Sequence, residues 1–473
     1  MQMLNAIDGF LLRAVLALAF VVSAFAQSTG TSALADPYPS TYKPLPRTDT
    51  FIANAIILDG RGHRLEGASI LLRDGKIVSI GADLKAPGNA VVIDAHSRWI
   101  TPGLVDVHSH LGDFAAPFTP ADLKFSDVNE TSDPNTAQVW ALHSVNAQDP
   151  QFSRVRTGGV TTLQVLPGST NLFGGRGVVL KNVPATTPQA MEFPGAKPSL
   201  KMACGENPKN NYGEKGRSPT SRMGNVAGDR EAWIKAQEYQ RKWDQYNRNA
   251  KDRKNDPDAE PPARDLRLET LAAALRGDIL VHIHCYRADD MAIMLDTAKE
   301  FGVKIAAFHH AVEAYKIADL LAERGVCAAV WPDWWGYKME AYDGNRANAA
   351  DLDAAGACVM LHSDIPVDAE RFPLDAAIAM GAGRRAGIDI SEERAIQWLT
   401  WNPAKALGLE DRIGSLEPGK NADVVVWSGD PFSVYTKADL VFIDGALVYD
   451  RHDPKRQPLS DFELGQPSSG VQP

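Results

Sequence analysis

Residues 100–111 read ITPGLVDVHSHL, an apolar run entered through Pro102-Gly103 that ends in two histidines one residue apart, His108 and His110. In a strand, side chains at i and i+2 leave the same face, so both imidazoles point into one space while Ser109 faces away. An isolated His-x-His is more often a hydrogen-bonded pair in a core or turn. This pair stands at the carboxyl end of a buried apolar strand, where barrel metalloenzymes place their ligands, and a metal site is the leading reading.

The same stretch resembles the first barrel strand of the amidohydrolase superfamily, whose members begin their metal site with His-x-His after a PGLID or PGLVD run. Residues 55–81, AIILDGRGHRLEGASILLRDGKIVSIG, resemble that family's N-terminal β-segment, with alternation broken by turn signals at Asp59-Gly60 and Asp74-Gly75. Residues 401–427, WNPAKALGLEDRIGSLEPGKNADVVVW, resemble its return. The pattern is similar to the imidazolonepropionase-like branch in particular. The resemblance implies an α/β fold: a (β/α)8 TIM-type barrel over 102–401, with a small β-sandwich domain built from N- and C-terminal segments, 48–101 plus 402–455.

Within 102–401 short β-rich runs alternate with helical stretches, which is itself the pattern of such a barrel. Strands are expected at 159–166, 177–180, 200–204, 279–285, 304–309, 326–331 and 358–364, eight with the first. Helical runs at 289–301 and 314–324 separate the later strands, so their carboxyl ends share one rim. Active sites of this fold are built on that rim.

Four of those ends carry candidate chemistry. ILVHIHC offers His282 and His284 on one face; His284 lies nearer the end and matches the family's fifth-strand ligand, which leaves His282 one layer deeper. In KIAAFHHA the adjacent His309 and His310 should diverge, so at most one faces a metal. Similarity to the family's IEHG places His310 as ligand and His309 at the usual glutamate position. ACVMLHSDIP ends in Asp364 where relatives carry an aspartate, and a carboxylate there can take a proton from attacking water and return it to a leaving nitrogen. The fourth strand, SLKMACGENPK, leaves two candidates open. Lys201 has the surroundings of the carboxylated lysine that bridges two metals in dihydroorotases, and a lysine inside a barrel is costly unless paired or modified. Glu206, just past the strand, is the rival bridge.

Substrate contacts are expected from Arg176 in the Gly-rich loop 167–177, a candidate for a carboxylate, and from Tyr286 and Arg287 directly after His284. Without a GK[ST] ending that loop does not bind phosphate as a P-loop does. A charged, aromatic-dotted insertion at 224–262 places Trp233, Tyr239, Trp243 and Tyr246 roughly along one helix face.

The chain has 473 residues, 44% of them hydrophobic, and a net charge of −10, so it can bury a large core and carries no basic footprint for nucleic acid. A small-molecule partner is expected, and the chain is a candidate homo-oligomer. Residues 14–26, AVLALAFVVSAFA, follow Arg13 and end in a small-x-small pattern. They read as a signal peptide over 1–26, exporting the protein to the periplasm or beyond and leaving no membrane span after cleavage. Flexible segments are expected at 27–47 and 456–473. Cys204, Cys285, Cys327 and Cys358 each sit in or beside an apolar run and read as buried free thiols.

With these features, the family resemblance implies an exported enzyme holding one or two divalent ions, zinc by expectation, in His108, His110, His284 and His310 with Lys201 or Glu206, and hydrolysing amide or cyclic amide C–N bonds, as in dipeptides or N-acyl amino acids. The alternatives are a heterocycle deaminase and a metal-binding exported protein without turnover.

Overall fold

The computed structural model describes residues 37–115, 119–248 and 260–458; the expected signal peptide and nearly all of the C-terminal tail lie outside them. Among the described residues, 40–241 and 263–458 form one compact unit that holds both β-sheets. Of the other unit, 1–39 with 242–262, the described part includes the last turns of a helix, where Trp243 meets Tyr246 edge-on at 5.9 Å.

The first sheet begins with β1 (Thr50–Leu58), β2 (Arg64–Arg73), β3 (Lys76–Gly81), β4 (Val91–Asp94) and β5 (Trp99–Pro102). Asp74 and Gly75 both adopt positive φ, 51° and 77°, which is what a two-residue hairpin turn between β2 and β3 requires. Gly103 then carries the chain into the barrel; a Cβ there would meet the Thr161 hydroxyl at 2.1 Å, so the close approach of neighbouring strands needs glycine.

The barrel strands follow as β6 (Leu104–Ser109), β7 (Val160–Val165), β8 (Phe173–Lys181), β9 (Ser199–Ala203), β10 (Leu280–Cys285), β11 (Ile305–His310), β12 (Cys327–Val330) and β13 (Val359–Leu361), hydrogen-bonded in that order. The Asp364 amide donates to the His108 carbonyl at 3.0 Å and a bridge joins Ser109 to Asp364, which brings the two edge strands together into a nearly closed barrel. Helices Leu266–Arg276, Ala288–Phe301 and Ala318–Arg324 each stop at a glycine in left-handed conformation, Gly277, Gly302 and Gly325, that turns the chain into the next strand. Past the barrel, β14 (Val424–Trp427), β15 (Ala438–Ile443) and β16 (Ala446–Asp450) return to the first sheet, β14 lying antiparallel to β5. Strands from both chain ends thus share one eight-stranded sheet, with an apolar core that includes Ile52, Ile70, Val424 and Phe442.

Two expectations need correction. A regular (β/α)8 barrel is all parallel, but β8 runs antiparallel to both β7 and β9. The link Leu166–Leu172 is too short for a crossover helix, so the chain turns straight back, and β8 starts at Phe173, earlier than the expected 177. Nor are the cysteines free. Cys204 is bonded to Cys285, and Cys327 to Cys358, with Cα–Cα separations of 5.2 and 4.4 Å. Each pair joins neighbouring strands, β9 to β10 and β12 to β13.

The aromatic insertion forms a helix over Arg222–Arg248. Trp233 and Tyr239 are buried, and Trp233 packs on Phe173 with ring centres 5.3 Å apart. Among the described residues no helix is long and apolar enough to cross a membrane.

Candidate metal centre

His108 and His110 leave the same face of β6 and its end, and both are buried. The His110 Nδ1 lies 2.7 Å from the Leu166 carbonyl, which can only accept, so that nitrogen carries the proton and Nε2 presents a bare lone pair. Around the His108 Nε2 lie the His110 Nε2 at 3.3 Å, the Lys201 Nζ at 3.2 Å and the Asp364 Oδ1 at 3.4 Å. Asp364 is also 3.4 Å from the His110 Nε2. Ligand atoms of His108, His310, His362 and Asp364 fall within 4.8 Å of one another. His284 packs edge-on against His310 with ring centres 4.5 Å apart.

These donor groups fit a cation. The Nδ1 atoms of His108 and His310 and both ring nitrogens of His284 and His362 are buried without a hydrogen-bond partner, a cost rarely left standing in a folded protein. Burial, reinforced by the nearby Lys201, pushes the His108 imidazole well below its ordinary range, and burial does the same to His284 and His310. His362 is pushed down to about 3, again by burial. Neutral imidazoles are the form that ligates metal. Burial would raise Asp364, yet His110 and Lys201 beside it hold it below the usual carboxylate range.

Lys201 projects from β9 and is completely buried. Its Nζ donates to the Pro167 carbonyl at 3.0 Å, and burial lowers its pKa to about 7. Glu206 lies elsewhere. It opens a short helix, Glu206–Gly213, with its carboxylate 3.4 Å from the Lys338 Nζ and its amide donating to Glu340. The described contacts therefore bring Lys201, and not Glu206, against the histidines.

The adjacent pair on β11 departs from the expectation of simple divergence. His310 has φ 69° and Ala311 39°, so the chain leaves the pleat, and the rings of His309 and His310 both pack on His108, at 4.8 and 4.9 Å. His309 still faces a different partner: its Nε2 is 2.8 Å from the His282 Nδ1. Asp364, with φ 62°, marks a second such departure beside the site.

Of the residues expected to meet substrate, Tyr286 lies against the centre. Its ring stacks on His310 at 5.2 Å, its hydroxyl bonds Tyr337, and the Lys338 Nζ sits 3.9 Å from the ring centre. Arg176 lies within β8, bonded to Thr270 at 2.8 Å and set over Trp140. Arg287 pairs with Asp289 in the first turn of the helix it caps. The contacts described for these two arginines do not reach the histidines.

His362 was not expected, yet it stands two residues before Asp364, the same spacing that marked His108 and His110. Trp331 is the other unforeseen neighbour, 4.4 Å from the rings of both His310 and His362. Sequence offers no signal for it beyond its place directly after β12.

A family model described as the amidohydrolase family matches residues 99–451. The chain belongs to the amidohydrolase family. This amidohydrolase is 32% identical over 427 residues to amidohydrolase tasK of Hapsidospora irregularis, an alignment that takes in 87% of this chain but 42% of that protein, so the chain spans less than half of that relative. With the imidazolonepropionase of Mesorhizobium japonicum it shares 24% identity over 401 residues, 77% of this chain and 87% of the other. Among solved structures, an amidohydrolase from Thermotoga maritima is 36% identical and superimposes with a TM-score of 0.76, covering 85% of this chain and all of that one. The chain is accordingly a hydrolase of a family that typically depends on metal and acts on small molecules.

Proposed function

We propose that this amidohydrolase hydrolyses an amide C–N bond in small exported or scavenged substrates, dipeptides or N-acyl amino acids, using divalent metal held by His108, His110, His284 and His310. The observation that carries the reading is Asp364, whose Oδ1 lies 3.4 Å from the Nε2 atoms of both His108 and His110 inside a cluster of buried imidazoles, among them His284 and His362 with both ring nitrogens unpartnered. His362 belongs to the same donor group. A divalent cation, zinc by the chemistry of a histidine-rich set, would polarise the scissile carbonyl and acidify water.

The chain's own residues supply the rest. Asp364, kept ionised by its neighbours, accepts the proton of the attacking water and delivers it to the nitrogen as the C–N bond breaks. Tyr286, stacked on the His310 ring, would donate its hydroxyl, which meets Tyr337 here, to the developing oxyanion. Lys201, buried and held against His108, would supply the fourth-strand ligand: its neutral amine could add to carbon dioxide with release of a proton, and the resulting carbamate would offer an anionic oxygen donor to divalent metal.

Export and domain layout form part of the same reading. Two disulfides between barrel strands favour an oxidising compartment and agree with the signal peptide over 1–26. The sheet made from both chain ends, with its own apolar core, supports a small β-sandwich beside the barrel.

The test is a panel of dipeptides, N-acyl amino acids and amino-substituted heterocycles incubated with metal-loaded protein, with metal counted per chain. Release of primary amine from the first two groups is expected. Ammonia released only from heterocycles would replace this reading with deamination. Lys201→Ala should lose activity and regain part of it with added short carboxylic acids; an unassisted, fully active variant with two metals would dismiss the carbamate.

A further inference from the structure

A cavity of about 310 Å³ opens on the carboxyl rim between the segments that follow β11 and β12. Its walls include Val312, Trp331, Trp334, Trp335, Arg346 and Asn348. Trp331 is a wall shared with the metal centre, since the same ring lies 4.4 Å from His310 and His362 and 5.4 Å from Trp334. The cavity therefore shares the Trp331 ring with the metal centre, and its size is at the lower end of ligand pockets, which run from roughly 300 to 1,000 Å³.

Its surroundings are organised and its mouth is exposed. Asn348 is fixed at the back by donating to the Ala311 and Val312 carbonyls, and the exposed Trp335 is held by its indole N–H on the Tyr342 carbonyl at 2.7 Å. Trp335, Tyr337, Met339 and Tyr342 are all more than half exposed within one short segment, a concentration of apolar surface that marks a binding site more often than chance. Near the mouth Lys316 pairs with Glu313 and Asp343, and the Asn345 amide donates to Asp351. Arg346, on the cavity wall, has no hydrogen bond or ion pair among the described residues.

We infer that this cavity receives the aromatic or large aliphatic side chain of an amino-acid substrate and that Arg346 takes its free carboxylate. The inference rests on the amide-hydrolase reading of the adjoining centre. Indole walls suit a planar or bulky apolar group, and a guanidinium left unpaired at the edge suits a planar anion.

Rates on N-acetyl-L-phenylalanine, its amide, and N-acetyl-L-alanine test this in the wild type and in Trp335→Ala and Arg346→Met. The wild type should prefer phenylalanine over alanine by about tenfold or more in kcat/KM. Trp335→Ala should shrink that preference by raising KM for the phenylalanine compound. Arg346→Met should cut the preference for the acid over the amide about tenfold, also through KM. Hydrolysis with preferences that neither substitution moves would overturn the pocket and leave the chemistry standing. Calorimetric titration of N-acetyl-L-phenylalanine into Asp364→Asn separates the reverse case: binding weakened by Arg346→Met, without turnover in the wild type, keeps the pocket and discards the reaction. Absence of both binding and turnover overturns the inference.

Discussion

Lys181 and Lys201 sit on neighbouring strands of one barrel, both completely buried, and the structure handles them in opposite ways. Lys181 ends β8 and is clamped by Asp444 at 2.9 Å and Asp423 at 3.6 Å, while Tyr42 closes the group by donating to Asp444 at 2.6 Å. Lys201 has a carbonyl, an imidazole and Asp364 as a more distant counter-charge, and its ammonium is disfavoured. One lysine is set between two carboxylates; the other stands among imidazoles that include unpartnered ring nitrogens. The difference separates a joint that holds chain segments together from a site that waits for a ligand.

The sharpest break of that comparison is Asp364→Asn. Its kcat should fall by about 10²–10⁴-fold, with the unfolding midpoint little changed, because the lost group moves a proton and supports little packing. A loss below threefold would remove Asp364 from the reaction. Next come the lysines themselves. Lys181→Met leaves two buried aspartates facing each other and should cost about 3–5 kcal/mol in urea unfolding with metal content intact. Lys201→Met should abolish most activity while the metal-free protein stays as stable as wild type or gains. Equal destabilisation by the two would erase the distinction.

Smaller effects sharpen it further. Replacing a disulfide pair by serines should cost about 2–4 kcal/mol, more for Cys204–Cys285, which spans 81 residues, than for Cys327–Cys358, which spans 31. Cys285 sits between His284 and Tyr286, so the first pair should also alter KM, and identical kinetics would contradict that. The smallest effect is a pH dependence. Burial holds His282 and His362 down to about 3 in the fold, against about 6.5 unfolded, so between those values the unfolded chain binds protons that the native one refuses. The stability of chelator-treated protein is thus complete above pH 6.5 and declines as pH falls, by up to about 1.4 kcal/mol per pH unit for each histidine. His282→Gln should flatten the slope; urea midpoints that rise on acidification would reverse the sign.

Much of this site could be read from local spacing, and what could not was decided by chain geometry. His108, His110 and Asp364 follow from strand alternation and from what stands at strand ends. His362 obeys the same alternation, but a single histidine two residues before an aspartate is a weaker sign than a His-x-His pair. The packing of both His309 and His310 on His108 depends on a positive φ that no residue type signals, since histidine has a Cβ and no turn motif precedes it. Disulfide pairing required knowing which strands are neighbours, and Glu206 could be separated from Lys201 only once Lys338 and Glu340 were seen to hold it.

The reversal of β8 has a consequence for how such a protein can change over generations. Because the chain doubles back through Leu166–Leu172, that stretch presents backbone to the centre: the Leu166 carbonyl orients His110 and the Pro167 carbonyl holds Lys201. Mutation can exchange a side chain but cannot remove a carbonyl, so those two acceptors are inherited by every variant that keeps the turn. Diversification is left to the segments after β11 and β12, where substitutions can alter what is admitted without disturbing how the ligand set is aimed.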